Sequence, residues 1–78
     1  MLIWRSIFSK NVSVIWDPDT QLMLRFSRGE VVRVSSMSED AARGLAKMLK
    51  LIEVSEDEVS VEALDRIRSE IRIAVDDL

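Results

Sequence analysis

Through the first half of the chain hydrophobic and polar residues alternate with period two; through the second they recur every three to four. Val12, Val14 and Trp16 stand against Ser13 and Ile15. Beyond Asp17-Pro18-Asp19-Thr20, Leu22, Leu24 and Phe26 stand against Gln21, Met23 and Arg25. Beyond Ser27-Arg28-Gly29-Glu30, Val32 and Val34 stand against Val31, Arg33 and Ser35. Both separators are turns with a mechanism. Proline sets φ in the first while aspartates bond their own backbone, and glycine supplies positive φ in the second. Three alternating segments joined by short turns predict an antiparallel meander. Residues 2–8 are rich in β-formers and read as a fourth strand, although Ile3 with Ile7 and Trp4 with Phe8 also stand at helical spacing.

From Ser36 the period changes. Ser36 and Glu39 have capping-box spacing, and Ala41, Leu45, Met48 and Ile52 then share one helical face. A helix over about 38–53 is predicted, with Gly44 inside it read as a close approach to the sheet. Ser55 with Glu58, or Ser60, caps a second helix. We place it over about 60–77, with a seam of Leu64, Ile67, Ile71, Ala74 and Leu78. Residues 71–75 also alternate, so a short terminal strand is the minority reading. The predicted fold is α+β within one domain, 1–78. A three- or four-stranded meander over about 2–35 is followed by an α-helical hairpin packed on one sheet face.

Composition narrows the chemistry. The 78 residues contain no Cys, His or Tyr. Disulfides, thiolate or imidazole metal sites and Ser–His or Cys–His nucleophiles are therefore excluded. Two isolated glycines make no phosphate loop. Asp17 and Asp19 begin like a cation loop but lack the downstream oxygens, and Glu56-Asp57-Glu58 reads as a solvated helix entry. The expectation is a protein that is not an enzyme and uses no cofactor. Arg5 and Lys10 interrupt the apolar start before a signal-peptide core forms, and no stretch nears the ~18 apolar residues of a membrane span. A cytoplasmic protein without a membrane partner is expected. One Asn and one Gln echo the depletion of thermolabile residues in hyperthermophile proteins.

Charge is uneven. Residues 1–50 hold eight Lys/Arg against five Asp/Glu, and residues 51–78 hold three against nine. A chain this short buries only roughly 60% of its unfolded surface, so oligomerisation is a natural remedy. If the helices cover Val14, Leu24 and Val32, the other sheet face shows Ile15, Met23 and Val31 with Arg25 and Arg33. Ile73 lies opposite Leu64 on the second helix, and the two tryptophans, Trp4 and Trp16, are candidate anchors. Trp4, Ile15, Trp16, Met23, Arg25, Val31, Arg33 and Ile73 are thus the candidate interface of an assembly module, its expected partner a second copy, with another protein as a further option. A second reading is nucleic-acid binding through Arg25, Arg28 and Arg33. A third is an inhibitor or adaptor docking a basic partner through the acidic C-terminal helix.

Overall fold

The computed structural model describes residues 1–78 as a five-stranded antiparallel sheet with two helices. The strands are β1 (Leu2–Ser6), β2 (Val12–Trp16), β3 (Leu22–Ser27), β4 (Glu30–Ser36) and β5 (Leu51–Val54). Helix α1 (Glu39–Met48) joins β4 to β5, and a 3₁₀ turn (Glu56–Glu58) leads into α2 (Val61–Asp76). The strand order is β4-β3-β2-β1-β5, so the meander grows from β1 in one direction and β5 caps its other side.

Local chemistry accounts for most boundaries. In the β2–β3 connection the Asp17 carboxylate accepts hydrogen bonds from the Thr20 amide (3.1 Å) and hydroxyl (2.7 Å), while Gln21 takes positive φ, 58°. Arg28 (φ 54°) and Gly29 (φ 78°) form a two-residue turn whose paired positive φ values match the twist of the flanking strands. Ser38 caps α1 by accepting from the Ala41 amide, and Ser60 caps α2 by accepting from Ala63. Ser55 serves as well, capping the 3₁₀ turn through the Asp57 amide. The α1 cap therefore lies two residues beyond the expected Ser36, which is still in β4.

The helical hairpin is not observed. The first helix stops at Met48 rather than near 53, because Lys50 adopts a left-handed φ of 57° and turns the chain into β5. Leu51–Val54 then pairs with β1, setting Ile3 against Val54 and Arg5 against Ile52. Nor do the helices share a face. Ile3, Ile15, Leu22, Leu24 and Phe26 pack with Ile71 and Ala74 of α2. Trp4, Val14, Trp16 and Met23 pack with Ala42 and Ala46 of α1. The sheet is sandwiched, one helix to each side.

Register explains the difference. The five residues 17–21 between β2 and β3 set Ile15 opposite Leu24 and Val14 opposite Arg25. Val14 and Leu24 thus point to opposite faces, since a one-residue slip exchanges faces for a whole strand. A bulge repeats the effect in β4. Arg25 opposes Arg33 but Phe26 opposes Val31, leaving Val32 between them. Val31 accordingly lies on the α2 side, away from Met23, Arg25 and Arg33. Ile15 and Leu24, opposite one another, are 1% and 0% exposed and form the centre of the α2-side core.

Candidate functional site

The structure divides the expected interface residues into two groups. Trp4, Ile15, Trp16 and Met23 are buried within the chain's own core, so they present no surface to a partner. Apolar residues fill both faces of the central strands, and each face has its own helix. The Trp16 indole N–H donates to the carbonyl of Met37 (2.9 Å), which satisfies it internally. Val31 is half-buried against the α2-side core. Only Arg25, Arg33 and Ile73 remain exposed.

Arg25 and Arg33 stand directly opposite each other on the α1 side. They border a groove of about 310 Å3 with Met23 at its floor and Leu45 and Leu49 of α1 along its wall. Neither arginine makes an ion pair, so two like charges face one another uncompensated. Arg28 does not join them. It sits in the β3–β4 turn beside Phe26 and α2, across the sheet. The three arginines proposed to contact nucleic acid therefore do not form one surface.

The two edges of the sheet are built differently. The β5 edge is four residues long, and α1 reaches down to it. Arg43 donates to Glu39 (3.1 Å) and to Glu53 of β5 (2.9 Å). The hydrogen bond to Glu39, then that to Glu53 and the attraction of both carboxylates, raise the Arg43 pKa above its ordinary value. The β4 edge is seven residues long and carries no lysine or proline. Val32 and Val34 are 57% and 40% exposed along it. Near the turn that opens β4, a Cβ built on Gly29 would lie 3.4 Å from the Arg66 guanidinium of α2. Ile73 of α2 is 53% exposed. Val32 and Val34 were not among the expected contacts, although the last strand of a meander is an edge unless something pairs with it.

The strand connections at the two ends differ in charge. The connections 7–11, 28–29 and 49–50 lie at one end, and their charged residues are Lys10, Arg28 and Lys50, all cations. The opposite end holds Asp17 and Asp19, the Glu39-Asp40 start of α1, and Glu56, 3.9 Å from the N-terminal amine. The second half of α2 reaches that end too, where Arg68, Arg72 and Val75 border the same pocket as Met1, Asp17 and Glu56. The strand connections are thus cationic at one end and acidic at the other, while Arg68 and Arg72 of α2 add cations at the acidic end and Glu30 adds a carboxylate at the cationic one. No helix is long and apolar enough to cross a membrane. Comparison with protein-family models, with curated proteins and with solved structures finds no match.

Proposed function

We propose that this chain is a non-enzymatic assembly module that pairs with a second copy of itself through the β4 edge. The free, valine-bearing β4 strand carries this reading, because an unguarded edge is a template for another strand. A twofold axis at Val34 continues the sheet antiparallel, with Val34 beside the partner's Val34 and Arg33 beside the partner's Ser35. A twofold axis at Arg33 would add a second like-charge contact to the Arg25–Arg33 pair, so the Val34 register is favoured. Antiparallel pairing also sets the cationic end of each copy beside the anionic end of the other. That complementarity favours a second copy over an unrelated strand.

A single cysteine tests the register cleanly, because the chain has none of its own. Opposed strand residues lie within disulfide reach. Under mild oxidation Val34→Cys is expected to crosslink to a dimer rapidly, and Arg33→Cys slowly. Light scattering of the unmodified chain should give twice the monomer mass at micromolar concentration. A folded monomer at that dilution, or equal crosslinking at both positions, overturns the proposal.

A further inference from the structure

A second feature lies at the cationic end, on the α2 side, where the β3–β4 turn meets α2. The β1–β2 connection, the β3–β4 turn and the first half of α2 enclose a pocket of about 520 Å3. Lys10, Arg28 and Arg66 line it with Asn11 and Ser13, and Phe26 contributes to its apolar floor. No carboxylate lines the pocket. Glu30 and Glu62 are near in sequence, yet none of the three cations makes an ion pair with them or with any other carboxylate. Three cations from segments far apart in the chain thus line one pocket with no carboxylate among them, an arrangement that attracts an anion.

The backbone fixes this arrangement. The Arg28 amide donates to the Asn11 carbonyl (2.9 Å), tying the turn to the β1–β2 connection. Arg28 holds a left-handed φ of 54°, a conformation that costs a non-glycine residue and that asparagine or glycine would adopt more readily. The strained position thus presents a guanidinium. A neighbouring pocket lined by Arg5, Lys10 and Ser13 continues from this one beneath α2, again with no carboxylate.

We infer that the Lys10–Arg28–Arg66 pocket binds the phosphate group of a small organic phosphate. Two guanidinium forks and an ammonium match the charge and the several acceptor oxygens of a phosphomonoester. The pocket size suits a small molecule, and Phe26, Ala63 and Ile67 give its organic part an apolar wall. This inference does not require the β4 pairing, since it rests on the pocket lining of a single chain.

Amide chemical shifts of the full chain provide the test, with inorganic phosphate, adenosine 5′-monophosphate and a ten-nucleotide single-stranded DNA as probes. Saturable shifts at Asn11, Arg28, Gly29 and Ala63 are expected, with the monophosphate binding more tightly than inorganic phosphate. Lys10→Ala and Arg66→Ala should each weaken monophosphate binding roughly tenfold. Arg28→Asn, which suits the turn, should do the same without loss of fold. Three results would overturn the inference: no saturable shift by ~10 mM monophosphate; shifts that survive all three substitutions; or affinity that rises with DNA length and far exceeds that for the monophosphate, which would mark a polynucleotide track.

Discussion

The two edge strands of this sheet solve one problem in opposite ways. Each leaves a row of backbone donors and acceptors without a partner strand. At β5 the row is short, and α1 braces it through the Arg43–Glu53 contact. At β4 the row is seven residues long, carries exposed valines and lacks any such brace. A β-bulge at Val32 is its only irregularity, and the bulge lies near the turn, leaving the stretch from Arg33 onward regular. The β4 edge has only Glu30, Arg33 and the bulge to guard it, which is why the proposed pairing is placed there.

The largest expected effect tests what holds β4 to the sheet. Leu24 is fully buried opposite Val34, so Leu24→Ala should cost about 3 kcal/mol in chemical denaturation. A loss below about 1 kcal/mol would mean that β4 does not rest on the observed core. Next comes association. Val34→Lys should weaken self-association by about tenfold or more, whereas Ile52→Lys on the β5 edge should leave the solution mass unchanged. Equal behaviour of the two variants would erase the distinction between the edges.

Two smaller effects probe the braced side. Gly44 is not the close approach expected of it. A Cβ there would meet nothing within 4 Å, and the residue is exposed mid-helix. Gly44→Ala should therefore stabilise the protein by about 0.5–1 kcal/mol, read as a higher melting temperature. A lower one would show that α1 packs more tightly than described. Arg43→Ala should give the smallest change, since its partners are solvent-exposed. Faster amide exchange in Leu51–Val54, with the difference shrinking at high salt, is the expected signature. Unchanged exchange would deny the brace.

The meander, its turns and α2 were legible because each rests on local chemistry: proline and aspartate at 17–20, glycine at 29, a serine cap at 60. The β5 strand was hidden. Lys50 ends α1 in a conformation that usually calls for glycine, and Ile52 happens to continue the helical period from Met48. The β-branched Ile52 and Val54 were the available signal. The burial of both sheet faces was also legible and was misread. Val14-Ile15-Trp16 and Leu22-Met23-Leu24 are unbroken apolar runs of the kind a strand carries when covered on both sides. The cationic pocket left no such trace, because Lys10 and Arg66 meet only through the fold.

By itself, then, the order of residues determined where the meander strands, their turns and α2 form, and which side chains are greasy enough to be buried. Turn chemistry and periodicity act over a few residues and need no distant partner. Tertiary structure alone decided which face each side chain takes, where the second helix lies, and which edge and which cations are left without partners. Those outcomes depend on strand register, where one residue more or less in a loop or a bulge reverses a whole strand.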